Sequence, residues 1–141
     1  MNNVFVRDLM TSEPFAVNVE ADLSRVYDTM DIKHVRHIPV VDGEGDLLGL
    51  VTHRDLVRSV LGALGELPVS NQREALRALK VAEIMQAEPE TIDPGADIRE
   101  AAQLMLENKF GCLPVVDNGR LIGILTEADF IKFVLTRLQT L

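Results

Sequence analysis

Ile38-Pro39-Val40-Val41-Asp42, a short turn, then Leu48-Gly49-Leu50-Val51-Thr52-His53-Arg54-Asp55: this stretch decides the fold, because the chain writes it twice. The second version is Leu113-Pro114-Val115-Val116-Asp117 followed by Ile122-Gly123-Ile124-Leu125-Thr126-Glu127-Ala128-Asp129. A proline near the start of each apolar run suits the beginning of a strand, where a missing amide is tolerated. The Gly- and Asp-rich turn Gly43-Glu44-Gly45-Asp46, and its counterpart Asn118-Gly119-Arg120, predict that each pair of runs folds back as a hairpin.

Outward from the hairpins the repetition continues at an offset of 75. Val6-Arg7-Asp8-Leu9-Met10 matches Val81-Ala82-Glu83-Ile84-Met85, Glu13-Pro14 matches Glu88-Pro89, and Ala21-Asp22 matches Ala96-Asp97. Beyond the turn the offset becomes 74, because the second turn is one residue shorter. A single gap confined to a turn is the trace of a duplicated folded unit. Short strands are expected at 15–19 and 90–93, each just after a proline. Asp22 and Asp97 occupy helix N-cap positions. Leu23, Val26, Tyr27 and Met30 then follow the spacing of a buried helix face, as do Ile98, Ala101, Ala102 and Met105. A second helix carries Leu56, Val57, Val60 and Leu61 in one copy and Phe130, Ile131, Val134 and Leu135 in the other. Each copy therefore reads β-α-β-β-α. About 50 residues hold too little core to stand alone, so two copies are expected to pack face to face. The expected division is repeat 6–61, connector 62–80 and repeat 81–136. Gly62, Gly65 and Pro68 break the helix before the connector, and Asn71 with Glu74 is a capping box for a short helix through Ala75, Leu76 and Leu79.

Composition narrows the function. Hydrophobic residues make up 47% of the chain, which excludes disorder. Fourteen basic against 22 acidic residues leave a net charge of −8, which argues against duplex nucleic acid or an anionic membrane as partner. A single cysteine, Cys112, excludes an internal disulfide and a Cys-rich zinc site. No apolar run approaches a membrane span, and no signal peptide is visible, so a cytoplasmic protein is expected.

Together the Val-x-(Asp/Glu)-(Leu/Ile)-Met openings, the (Ile/Leu)-Pro-Val-Val-Asp strands and the two Thr-x-x-Asp sequences resemble the cystathionine-β-synthase (CBS) domain, which occurs in tandem pairs. Gly111 before the second proline strand fits the family pattern, whereas the first copy has Arg36 there. The resemblance implies an α+β fold in which two β-α-β-β-α repeats pack as a pseudo-twofold pair, a Bateman module, with two related clefts between them. It implies a sensor of adenosine-containing ligands (AMP, ADP, ATP or S-adenosylmethionine), with no cofactor required, and a homodimer whose regulated target is another, unknown polypeptide. Carried onto this chain, Asp55 and Asp129 accept hydrogen bonds from ribose hydroxyls, and Thr52 and Thr126 lie near the phosphate path. Phe15, Ala16 and Val17 with Ile38 and Pro39, and Glu90, Thr91 and Ile92 with Leu113 and Pro114, form adenine slots. Arg36, His37, His53 and Arg54 line the first site, and Cys112 the second.

The chemistry is sound without the family. A carboxylate offers two acceptors to a vicinal diol, and hydroxyl and amide groups at a helix start suit an anion. The competing reading is that each Thr-Asp pair only caps its helix, in a structural or protein-interaction dimer with no small ligand. The copies differ where an anion would bind. Lys33, His34, Arg36, His37, His53 and Arg54 in the first are replaced by Asn108, Lys109, Gly111, Cys112, Glu127 and Ala128 in the second. His34, His37 and His53 show no metal-ligand spacing, Asp42–Asp46 reads as a turn and not a calcium loop, and Cys112 reads as a buried small hydrophobe. No arrangement calls for catalysis, so a non-enzyme is expected.

Overall fold

A computed structural model describes residues 3–64 and 72–139. Asn71, Gly65 and Pro68 lie outside the described residues, and with them the N-terminal half of the expected connector capping box; Gly62 does not break the helix as expected, since α3 runs on to Leu64. In chain order the elements are α1 (Val6–Leu9), β1 (Thr11–Ser12), β2 (Val17–Asn18), α2 (Leu23–Lys33), β3 (His37–Val41), β4 (Leu47–Thr52), α3 (His53–Leu64) and α4 (Gln72–Ala78). Then follow α5 (Val81–Ile84), β5 (Gln86–Ala87), α6 (Ile98–Asn108), β6 (Cys112–Asp117), β7 (Arg120–Thr126) and α7 (Glu127–Gln139). The fold is α+β, built on two sheets.

The chain divides into two compact units that cut across the repeat. One is contiguous, Phe15–Pro89; the other joins Met1–Pro14 to Glu90–Leu141. In the contiguous unit the strand order is β2-β3-β4-β5, with β2 parallel to β3 and the rest antiparallel. In the composite unit the order is β1-β7-β6, and Ile92 adds a single parallel bridge to Val115 where β2 stands in the other. The opening segment of each repeat thus completes the sheet of the other repeat. Matching backbone bonds fix both exchanges. Val81 N–H donates to Ala21 O at 2.9 Å and Leu23 N–H to Leu79 O at 2.9 Å. Val6 N–H donates to Ala96 O at 2.9 Å and Ile98 N–H to Val4 O at 3.0 Å.

The hairpins form as the alternation predicts, each with a bulge after its Pro-Val pair, between Val40 and Val41 and between Val115 and Val116. Their turns explain the one-residue gap. Asn118 and Gly119 both take positive φ, 52° and 82°, which closes a two-residue hairpin between the paired Asp117 and Arg120. The longer turn is held by Asp42, whose Oδ1 accepts the Glu44 N–H at 2.9 Å and the Asp46 N–H at 3.0 Å. It is a hairpin turn, as expected.

Asp22 and Asp97 are the N-caps of α2 and α6, each accepting from the backbone N–H two residues on. Leu23, Val26 and Met30 are buried, but Tyr27 is 46% exposed. The helix lies with a narrower stripe inward than the four-residue pattern implies. The two cores are separate. Val17, Leu23, Val26, Ile38, Val51 and Val81 belong to one; Val6, Ile92, Ile98, Leu113, Val115 and Leu125 belong to the other. Leu76 of α4 is buried in the first, so this part of the expected connector is structural core and more than a spacer.

Candidate functional site

The two Thr-x-x-Asp sequences lie where a central strand turns into a helix; the first forms a reciprocal capping box, and in the second the aspartate caps the threonine with no return bond among the described residues. Thr52 N–H and Thr52 Oγ1 each donate to Asp55 Oδ2 at 3.0 Å, and the Asp55 N–H donates back to Thr52 Oγ1 at 3.2 Å. In the other unit Thr126 N–H donates to Asp129 Oδ2 at 2.8 Å, and Thr126 Oγ1 to the same oxygen at 3.3 Å. A threonine hydroxyl and an aspartate three residues on satisfy amides that the first helical turn cannot pair internally. The carboxylates are therefore held at a helix start, where partial positive charge accumulates.

Their free valences differ. Asp129 is buried, and Thr11 Oγ1 from the exchanged strand β1 donates to its Oδ1 at 3.3 Å, so both oxygens are engaged. Asp55 is only half-buried, and the residue matching Thr11 is Gln86, whose Nε2 donates at 3.1 Å to the already occupied Oδ2. Among the described residues no hydrogen bond uses Asp55 Oδ1. Thr11 and Gln86 are not marked by any motif. The available signal is that both follow the repeated opening methionine.

Around Asp55 the register brings several expected residues to one end of the sheet. His37 pairs with Thr52 across β3 and β4, and the His53 N–H donates to Arg36 O at 2.8 Å, which ties the strand entry to the start of α3. Arg36, His53 and Arg54 are exposed, and no ion pair among the described residues involves them. Phe15 is 48% exposed, with the Lys33 Nζ 5.1 Å from its ring centroid, and Ala16 beside it is exposed. Val17, Ile38 and Pro39 are buried, so this strand pair can offer a ligand its backbone edges more readily than these side chains.

Arg36 and His53 also line a cleft of about 360 Å³ between α2 and α3, together with Tyr27, Asp31 and His34. His37 does not line it, and the three histidines are not assembled: among the described residues no group of three His, Cys, Asp or Glu could hold a metal ion.

In the composite unit Cys112 pairs with Thr126, and the Glu127 N–H donates to Gly111 O at 3.4 Å, so the framework is the same. The chemistry differs. Glu127 and Ala128 stand where the first copy has His53 and Arg54, and Glu90 is exposed while Thr91 is partly covered. Ile92, Leu113 and Pro114 are buried. Cys112 is buried, and that burial pushes its thiol up to about 12, which keeps it protonated and unreactive at neutral pH.

A CBS domain family model matches residues 6–62 and 81–136, and the chain belongs to the CBS domain family as a tandem pair. Such a pair is a regulatory module and generally non-catalytic. A CBS domain-containing protein of Dictyostelium discoideum is 35% identical over 139 residues, covering 96% of this chain and 94% of its own length. A crystallised acetoin utilization protein (AcuB) from Vibrio cholerae superposes with a TM-score of 0.83 at 31% identity, over 98% of this chain and 95% of its own. The structure of CBSX2 in complex with AMP gives a TM-score of 0.79 at 30% identity, over 94% and 96%. No helix among the described residues is long and apolar enough to cross a membrane.

Proposed function

We propose that this CBS pair is a sensor for an adenosine-containing ligand, AMP, ADP, ATP or S-adenosylmethionine, and works as a cytoplasmic homodimer. The observation that carries the reading is the inequality of the two Thr-Asp boxes. Asp55 keeps one carboxylate oxygen for a ribose diol and has exposed Arg36, His53 and Arg54 nearby for a phosphate. Asp129 has both oxygens engaged and Glu127 beside it. AMP bound to a relative 30% identical over nearly the whole chain supports the ligand class. The Asp55 site is the tighter one, and it favours phosphorylated ligands because Arg54 is a forked, permanently charged donor where the second copy has Ala128. Phe15, Ala16 and the β2–β3 backbone edges serve the base in this site, with Glu90, Thr91 and the Leu113-Pro114 strand in the weaker one.

Calorimetric titration with AMP tests this. Asp55→Ala removes a charged acceptor from the ribose, worth roughly 1.5–3 kcal/mol or about 10–150-fold in affinity. Asp129→Ala has the smaller effect, and Arg54→Ala weakens AMP far more than adenosine. An Asp55→Ala protein that melts lower yet binds AMP like the parent overturns the reading. It would favour the second one, a ligand-free interaction dimer in which both aspartates only cap helices, for which the completed hydrogen bonds at Asp129 speak.

A further inference from the structure

The described methionines fall into two kinds. Met30 and Met105 belong to the two cores and are 6% exposed. Met10 and Met85, the repeated opening methionines, are only partly buried, and each lies across the glycine of a central strand. Met85 is the C-cap of α5, its N–H donating to Val81 O at 3.0 Å, and β5 follows it directly. β5 is two residues long and lies at the edge of its sheet. It pairs with β4 at two positions only, Ala87 with Gly49 and Gln86 with Leu50. From it Gln86 Nε2 reaches Asp55 Oδ2 at 3.1 Å. So short an edge strand has few ladder bonds of its own. The Met85 side chain, packed on the core of this unit and filling the space a Cβ at Gly49 would need, is what docks it.

We infer that Met85 is an oxidation-sensitive latch: a peroxide that converts its thioether to the sulfoxide undocks β5 and weakens the Asp55 site. The effect on ligand rests on the adenosine-sensor reading above; the undocking does not. In the step, the sulfur lone pair takes one oxygen of hydrogen peroxide. The S–O bond forms, the O–O bond breaks, and the leaving hydroxide picks up the proton of the transferred oxygen and departs as water. The sulfur gives up two electrons and the peroxide accepts them. The product is polar and calls for a hydrogen-bond donor. Beside Gly49 it meets only the Gln86 carbonyl oxygen, itself an acceptor. The new oxygen therefore turns to water and carries the side chain off Gly49. Gln86 then no longer holds Asp55, whose carboxylate is less well aimed at a ribose. Cys112 is buried and protonated, so it does not compete for the oxidant. Met10, on Gly123, is open to the same reaction, but its strand serves Asp129, the weaker site, so its oxidation costs less affinity.

Dilute hydrogen peroxide on the full chain, followed by peptide mass mapping, hydrogen exchange and calorimetry with AMP, tests the latch. Met10 and Met85 are expected to gain one oxygen each before Met30 and Met105 react. In the oxidised chain the Gln86 and Ala87 amides should exchange roughly tenfold faster or more, and the Kd for AMP should rise by about tenfold. Methionine sulfoxide reductases of both epimer specificities, added together, should restore both readouts. Met85→Leu should hold whatever AMP affinity it has through the same treatment, whereas Met10→Leu should still lose affinity. The exchange result on the parent stands even where Met85→Leu fails to fold. Slow exchange at Gln86 and Ala87 with Met85 fully oxidised overturns the latch, and so does a Met85 that reacts no faster than Met30. An equal loss of AMP affinity in peroxide-treated Met85→Leu overturns the link to the Asp55 site. A parent chain that binds no AMP overturns the sensor reading and the effect on ligand with it, and the undocking of β5 then stands or falls by hydrogen exchange.

Discussion

A methyl group added at Gly49 would fall 2.5 Å from Met85 Sδ and 3.0 Å from Gln86 O; at Gly123 it would fall 2.6 Å from Met10 Sδ and 3.0 Å from Thr11 O. The repeated glycine and the repeated opening methionine are therefore two halves of one contact, made twice. Gly49→Ala should cost about 1–3 kcal/mol by overpacking, read from urea unfolding. Met85→Ala in the same chain should recover part of the loss, because the thioether is removed while the carbonyl contact remains. Additive losses in the double variant would deny the contact. At this scale the motif positions were legible and their partners were not. Thr-x-x-Asp announces a cap from four adjacent residues. Thr11, however, reaches Asp129 from 118 positions away, and no local pattern carries that information. Tyr27 shows the same limit: its spacing is that of a core residue, but whether the stripe is three or four residues wide depends on what packs against it.

Helix α2 depends on a single carboxylate at its start. Asp22 Oδ1 accepts the Ser24 N–H at 2.9 Å and also the Ser24 hydroxyl. The Ser24 side-chain bond chiefly holds the Asp22 carboxyl below its usual 3.8, with burial opposing it. A folded-state value lower than the unfolded one means the contribution is present above pH 3.8 and is lost as pH falls through the lower, folded value. Asp22→Ala should therefore lower stability by about 1 kcal/mol at neutral pH, with the gap between variant and parent closing only in strong acid. A gap that closes between pH 7 and 5 would point to another group. The existence and type of the long helices and paired strands could be read from periodicity, turn chemistry and caps. The strands expected at 15–19 and 90–93 shrink to Val17–Asn18 and a single bridge at Ile92, although β3 and β6 both extend alongside the unpaired residues. α4 was legible as a helix, but not as a contributor of Leu76 to a core.

For the whole chain, a regulatory pair with no assembled group of metal-binding side chains among the described residues should be indifferent to chelators. Its melting temperature in EDTA should equal that in buffer; a fall that zinc reverses would show a metal to be structural. Duplication was the most legible property of all, since it is a comparison of the sequence with itself. The exchange of opening segments was not, because identical repeats match equally well whether each keeps its own segment or lends it. That exchange has a consequence for synthesis. Phe15–Pro89 is contiguous and has all its strands once residue 89 has left the ribosome. The segment before it emerges earlier, yet β1 pairs with β7, and α1 bonds to residues 94 and 96, all made later. At roughly 5–20 residues per second those apolar side chains, Val6, Leu9 and Met10, wait for several seconds beside a finished neighbour. A segment made before the contiguous unit is thus among the last to find its place, and in that interval it is open to a chaperone or to another nascent copy.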